Sequence, residues 1–342
     1  MKKAKTYLAG LITAAITALL IINSSRAKAG AISGSELCGN VIIPSLLPIM
    51  ILSSTLSKSR FCELINAAFA PITRKIFHLP TFSSSAIFFG MIGGYPTGAV
   101  LTKELYRDGL ISESEARRIM HFNICPGIAF CVNAVGSLYN DRHKTGFAIF
   151  FICVFSSVAI AFFEGLLHKG DVQNFPGDKA AMNMSDAFCS SVRLTATSLL
   201  TMSCYIIFFS ALCETVSIPS VFFPLFEITN GIFNSGKIPM FPYLCFFMSF
   251  SGFCIHMQIA GITHEFNMKY GELFLSRCVG GALAFFPGKA YALLHPETSE
   301  VFSNISYAVP KINSVSYGFS LILLLGCAVI VTEIKNKKSK LL

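Results

Sequence analysis

Charged residues are scarce in this chain of 342 residues: they make up 13% of the sequence, against 53% hydrophobic residues. The mean hydropathy of +0.63 lies well above that of an ordinary water-soluble domain. The scarcity of charge excludes a protein whose surface is exposed mainly to water. The sequence therefore predicts a chain that places most of its surface in a lipid bilayer.

The sequence also lacks the short motifs of common enzymes and metal sites. It contains no H-E-x-x-H, no G-x-x-x-x-G-K-[ST], no G-x-S-x-G and no DFG-type element. Its twelve cysteines form no C-x-x-C pair and are scattered through apolar runs, which is typical of small buried hydrophobic side chains. We therefore expect no enzyme activity, no metal site and no cofactor.

Long apolar stretches are what the sequence has instead. A membrane-spanning helix needs about 20 mostly apolar residues. Seven stretches meet this need: 7–23, 37–57, 119–138, 145–167, 187–216, 273–294 and 316–333. Two more, 82–101 and 240–263, are interrupted. The expected fold class is an all-α polytopic membrane protein.

A net charge of +9 raises the question of a nucleic-acid partner. The basic residues, however, stand in short loops beside apolar segments, which is how the positive-inside rule orients a membrane protein. They include Lys58, Arg60, Arg74, Lys75, Lys103, Arg107, Arg117, Arg118 and the tail 334–342. We expect no nucleic-acid partner. The rule leaves the tail unexplained, because the number of crossings that puts the other basic residues on one side of the membrane puts the tail on the opposite side.

The amino terminus allows two interpretations. Residues 1–29 are either a signal peptide cleaved after Ala29 or an uncleaved first membrane helix. The helix is favoured, because the apolar run is long for a signal peptide and Arg26 and Lys28 follow it directly.

The chain resembles itself, which indicates an internal duplication. The matches follow the same order in both halves: 45–47 with 198–200, 72–77 with 228–233, 88–95 with 246–253, and 126–130 with 287–291. We expect two repeats, 30–167 and 187–333, joined by the polar linker 168–186. An odd number of crossings in each repeat would invert the second. Each repeat should contain an interrupted apolar stretch and a helix broken at Pro-Gly.

The first interruption is the glycine- and proline-rich segment Gly93-Gly94-Tyr95-Pro96-Thr97-Gly98. The apolar halves around it are each too short to cross a bilayer, and glycine and proline favour a helix stop. A broken backbone survives at membrane depth only inside protein or beside water. The segment therefore predicts a re-entrant hairpin over 80–108, with a single kinked span as the alternative.

The helix after this hairpin carries two further signals. Residues Ser112 to Glu115 fit a capping box that begins a helix. This helix reaches Asn123 and then Pro126-Gly127, where it should break. Asn123 at membrane depth either bonds neighbouring helices together or lines a solute site.

Three motifs carry a resemblance to a known family. Ile43-Pro44-Ser45-Leu46-Leu47-Pro48, Gly93 to Ala99, and Asn123-Ile124-Cys125-Pro126-Gly127 occur in the order and spacing of the YlbJ/SpoVV family of sporulation integral membrane proteins. The resemblance covers roughly 30–330 and implies paired Gate (nucleoside-recognition) domains. Such domains resemble parts of concentrative nucleoside transporters, which combine re-entrant hairpins with broken helices.

For this family the implied cargo is dipicolinic acid, carried across the outer forespore membrane. A nucleoside carrier and a non-transporting gating or assembly subunit are the alternatives. The expected partners are the bilayer and a small anion or nucleoside, with the coupling ion and oligomeric state left open. The candidate solute-binding residues are Gly93, Gly94, Tyr95, Pro96, Thr97, Gly98, Asn123, Pro126, Gly252, His256, Gln258 and Lys289.

Two of these candidates have equally simple structural interpretations. Lys289, which follows Pro287-Gly288, would bind an anion or extend to the membrane interface. His256 would contact solute or pack through a hydrogen bond. No aspartate or glutamate is recognised in the middle of an apolar stretch, so proton coupling through a buried carboxylate has no support from the sequence.

Overall fold

The computed structural model describes residues 2–139, 142–168, 182–233 and 240–296, and all regular elements in these ranges are helical. This confirms the all-α prediction for the described residues. The helix predicted at 316–333, the tail 334–342 and most of the linker 168–186 lie outside them.

The helices follow one another with short connections. The first half contains α1 (Lys2–Ile22), α2 (Ser24–Leu37), α3 (Ile43–Lys58), α4 (Phe61–Lys75), α5 (Ser83–Gly93), α6 (Thr97–Arg107), α7 (Glu113–Phe122) and α8 (Arg142–Leu167). The second half contains α9 (Met184–Val216), α10 (Phe223–Phe226), α11 (Ile228–Phe233), α12 (Phe241–Phe250), α13 (Gly252–Thr263) and α14 (Tyr270–Leu294).

Four helical stretches of the described residues are long and apolar enough to cross a membrane. They are Ser24–Lys58, His143–Leu167, Met184–Val216 and Phe241–Phe266. In the first, α2 and α3 are joined without interruption by a π-helical turn, so the expected repeat boundary at residue 30 falls inside a helix. Large apolar side chains such as Phe151 and Phe155 of α8 point outward, as lipid-facing residues do.

Small residues bring the first and third of these stretches close together. A Cβ on Gly30 would lie 2.8 Å from Ala211 Cα, and one on Gly34 would lie 3.0 Å from Ile207 Cα. Gly30 and Gly34 form a G-x-x-x-G pattern, which permits close backbone approach of membrane helices. Contact between α2 and α9 therefore joins the two halves of the chain near their beginnings.

The segment at Gly94 reverses the chain. A Cβ on Gly90 would lie 2.6 Å from Gly98 Cα, whereas eight residues of straight helix would separate the two by about 12 Å. Helices α5 and α6 therefore form a hairpin rather than one kinked helix. That this hairpin enters the bilayer from one side stays a prediction.

The second half follows the predicted pattern only in part. A break does occur between α12 and α13, where Ser251 (φ +78°) and Gly252 (φ +66°) both have left-handed backbones. The break predicted at Pro287-Gly288 is wrong, because α14 continues from Tyr270 to Leu294. Gly288 instead lets α14 approach α12, since a Cβ there would lie 3.1 Å from Cys245 Cβ. The inverted relation of the halves stays a prediction.

Ion pairs collect at one end of the molecule. Arg107 of α6 donates both Nε and Nη2 to Glu265 at 2.6 Å, and Arg117 of α7 lies 2.7 Å from Glu272 of α14. The capping box predicted at Ser112 is confirmed at the start of α7. The basic end of the first half is thus held by carboxylates of the second half.

Replacement of Gly30 by alanine should destabilise the contact between α2 and α9. The added methyl group has no space beside Ala211, and overpacking typically costs about 1–3 kcal/mol. Thermal unfolding of the purified protein in detergent measures the effect. Gly261→Ala is the control, since its Cβ would meet nothing within 4 Å. Equal melting temperatures for the two variants would contradict the packing.

Candidate functional site: the hairpin tip and the broken helix

The tip of the α5–α6 hairpin is attached to the break after α7. Gly94, with φ +79°, stands between the two arms, and a Cβ on it would overlap the backbone nitrogen of Gly127. Tyr95 N–H donates to Cys125 O at 3.0 Å. The predicted residues 93–98 and 123–126 are therefore brought together in one place.

Asn123 bonds both arms of the hairpin. It is buried at the end of α7, and its Nδ2 donates to Ala86 O in α5 at 3.1 Å and to Gly98 O in α6 at 3.3 Å. Of the two interpretations open for Asn123, hydrogen bonding between helices therefore accounts for its amide group. Its Oδ1 is buried and has no hydrogen-bond partner in the described part of the chain.

Arg277 of α14 satisfies the backbone at the break after α7. Its Nη1 donates to Ile124 O and its Nη2 to His121 O. These carbonyl groups lie at the point where α7 ends. Arg277 is 1% exposed and forms no ion pair with any carboxylate that the structure describes. A fully buried cation from the second half thus lies against the broken helix of the first half.

Hydroxyl groups without partners surround the hairpin tip. Tyr95 Oη, Thr97 Oγ1 and Ser54 Oγ are buried, and none of them has a hydrogen-bond partner among the described residues. Thr97 and Ser54 line a small cavity between α3, α6 and α9, with Thr195 and Ser198 on its far wall. Thr97 is the first residue of α6, so the positive end of that helix faces the cavity.

The candidates of α13 lie behind this site. His256 is buried, and its Nε2 lies 2.8 Å from Phe250 O, the last carbonyl of α12. The ring N–H thus donates to a carbonyl at the break, and the ring lies tilted against that of Phe250, which is the packing interpretation of this residue. Gln258 is also buried, and its Oε1 has no partner among the described residues.

Lys289 is not brought to the same place. Its side chain is exposed on α14, twelve residues after Arg277, a distance of about 18 Å along a helix. Because the break at Pro287 is absent, Lys289 has no helix end beside it. This position favours extension to the membrane interface over contact with a solute at the hairpin tip.

The chain has a detectable relative among known proteins. It is similar to the sporulation integral membrane protein YlbJ of Bacillus subtilis (strain 168), with 24% identity over 338 aligned positions that cover 83% of this chain and 82% of the relative. This similarity supports the resemblance to the YlbJ family that the three sequence motifs predict. No protein-family model matches the chain, and no solved structure matches it.

The similarity to YlbJ agrees with the four apolar spans. Together they support a multi-pass integral membrane protein of a sporulating bacterium. The paired Gate domains and a likeness to nucleoside transporters stay predictions.

Two buried charges were missed by sequence reasoning. Arg277 lies inside an apolar stretch and carried a signal, because a cation at membrane depth usually marks a site. Glu227 is the single residue between Phe226 of α10 and Ile228 of α11, and a lone carboxylate between two short helices gives no sequence signal of burial. Only the fold shows that its side chain is fully buried.

Gly98→Ala should weaken the contact between the α5–α6 hairpin and the break after α7. Its Cβ would overlap Asn123 O, which is backbone and cannot move without shifting α7. The expected loss is about 1–3 kcal/mol, seen as a lower melting temperature in detergent. Gly271→Ala, with nothing within 4 Å of its Cβ, is the matched control in α14. If Gly98→Ala melts at the wild-type temperature, the close contact is not required.

Proposed function

We propose that the chain is a membrane transporter of a small anionic solute, with dipicolinate as the first candidate. One observation carries the proposal: the buried guanidinium of Arg277 has no carboxylate partner among the described residues. It lies beside the hairpin tip, where the backbone is interrupted.

A buried cation without an anion is costly. Moving a charged group out of water is strongly unfavourable unless an opposite charge or hydrogen bonds compensate for it. The carbonyl groups of Ile124 and His121 supply two dipoles but no net negative charge. An incoming anion would supply the missing charge, and for this reason cations at membrane depth commonly mark a transport pathway.

The chemistry of the surrounding groups suits a carboxylate. A guanidinium presents parallel N–H groups that match the two oxygens of a carboxylate. On the other side of the hairpin tip, the unpartnered hydroxyl of Thr97 lies in the small cavity between α3, α6 and α9, where the first turn of α6 adds the positive end of a helix. Dipicolinate is proposed because it is a small dianion and because the resemblance to the YlbJ/SpoVV family implies it.

A nucleoside is the second candidate, favoured by a different observation. Asn123 Oδ1 and Gln258 Oε1 are buried acceptors without partners in the described chain. Acceptors of this kind bind the N–H and O–H donors of a nucleoside and repel a carboxylate. Competition between the two solutes separates these candidates.

Arg277→Gln should reduce dipicolinate binding by roughly ten- to a hundredfold. Glutamine removes the charge, and losing the charge-assisted contact with the solute costs about 1.5–3 kcal/mol. Because glutamine is shorter than arginine, the variant also gives up the contacts with Ile124 O and His121 O, so its melting temperature is measured alongside binding. Nucleoside binding should change much less. Equilibrium binding to the purified protein and uptake of labelled solute into proteoliposomes measure both.

Lys289→Gln is the matched control, an exposed cation on the same helix. Normal binding by Arg277→Gln together with weak binding by Lys289→Gln would transfer the anion contact to Lys289. Wild-type protein that moves neither solute would support the third candidate, a non-transporting gating or assembly subunit.

A further inference from the structure

Glu227 is a carboxyl group sealed inside the second half. It stands between α10 and α11, outside the four apolar spans, and its side chain is 0% exposed. Its Oε1 accepts from Thr229 N at 3.0 Å and its Oε2 accepts from Asn230 N. The Thr229 hydroxyl is a third donor, and all three are neutral, so they do not balance a charge on Glu227.

No basic side chain of the described residues is ion-paired with Glu227. The titratable groups that interact with it electrostatically are Cys38, Tyr95, Cys213 and Cys254. All four are weak acids, which are neutral when protonated and negative when ionised. None of them can supply a positive charge.

Among the described residues, the helices that pack around α10 and α11 place no ion-paired cation at Glu227; α13 contributes His256, whose ring bonds Phe250 O instead. Helix α2 contributes Glu36, and its basic residues Arg26 and Lys28 are exposed further towards its beginning. Arg26 bonds Ser217, and Glu214 of α9 is exposed. Desolvation therefore dominates at Glu227 and raises the pKa of its carboxyl group, against the opposing effect of hydrogen bonds from Asn230 N–H, Thr229 N–H and the Thr229 hydroxyl.

The segment that holds Glu227 contacts both the break before α13 and helix α2. A Cβ on Gly252, at the break before α13, would lie 3.2 Å from Pro224 O and 3.4 Å from Ile228 N. Asn230, which donates its N–H to Glu227, also accepts a hydrogen bond from Ser33 of α2 at 3.2 Å. The short segment holding Glu227 thus connects the α12–α13 break to the first membrane stretch.

We propose that Glu227 is a proton-binding site that couples proton movement to solute transport. Water supplies a proton to a carboxylate oxygen when the segment is open, and the neutral acid is then buried as the segment closes. Release reverses this step and returns the proton to water. The ionised form favours an open segment that water reaches, and the neutral form favours the closed arrangement described above. The coupling part of this inference rests on the proposed function, whereas the proton site does not.

The proton site is tested without any transport. Infrared spectra of the purified wild-type protein in detergent should show the C=O stretch of a protonated, desolvated carboxyl group at neutral pH. Glu227→Gln should remove this band, and Glu214→Gln, which changes an exposed carboxylate on α9, should keep it. A wild-type protein without such a band, or a band that survives Glu227→Gln, overturns the proposal.

Coupling is tested in proteoliposomes that contain the full chain. An imposed proton gradient should alter the rate of dipicolinate uptake several-fold in the wild type and in Glu214→Gln. Glu227→Gln should retain downhill uptake and lose the response to the gradient. A gradient response that persists in Glu227→Gln overturns the coupling. If the wild type moves no solute while the infrared band is present, the transport function fails and the proton site stands.

Discussion

The structure depends on one constraint: a backbone group released by a broken helix must find its partner inside the protein, because lipid offers none. Each of the three described breaks meets this constraint differently. The hairpin tip bonds to the broken helix through Tyr95 N–H, and the break after α7 is satisfied by Arg277. The break before α13 is satisfied by His256, which lies against Phe250 O.

These contacts also join the two halves of the chain. Arg277 comes from the second half and satisfies carbonyl groups of the first, so the break and α14 cannot separate without exposing buried polar groups. At the charged end, Glu265 and Glu272 hold Arg107 and Arg117 across the same boundary. The ion pairs there are partly exposed and individually weak, whereas the contacts of Arg277 are sealed from solvent. We infer that the charged end opens more readily than the hairpin tip.

Sequence reasoning succeeded where the local pattern decides the structure. Glycine and proline at residues 93–98 predicted a break, and Ser112 and Glu115 predicted the beginning of α7. It failed where packing decides. Pro287 was expected to break a helix, but α14 continues through it, and the adjacent Gly288 packs against Cys245. Arg277 and Glu227 belong to the sites only through tertiary contacts, and neither the helix period nor a motif identifies those contacts.

The similarity to YlbJ supports the membrane and sporulation context, and the buried groups suggest the chemistry. The most direct test of the central claim, that an anion binds beside Arg277, is a cryo-electron microscopy structure in lipid nanodiscs with dipicolinate added. Density for a small planar ligand against the Arg277 guanidinium is the predicted result. Ligand density beside Lys289 instead, or an unchanged site at saturating dipicolinate, would contradict the claim.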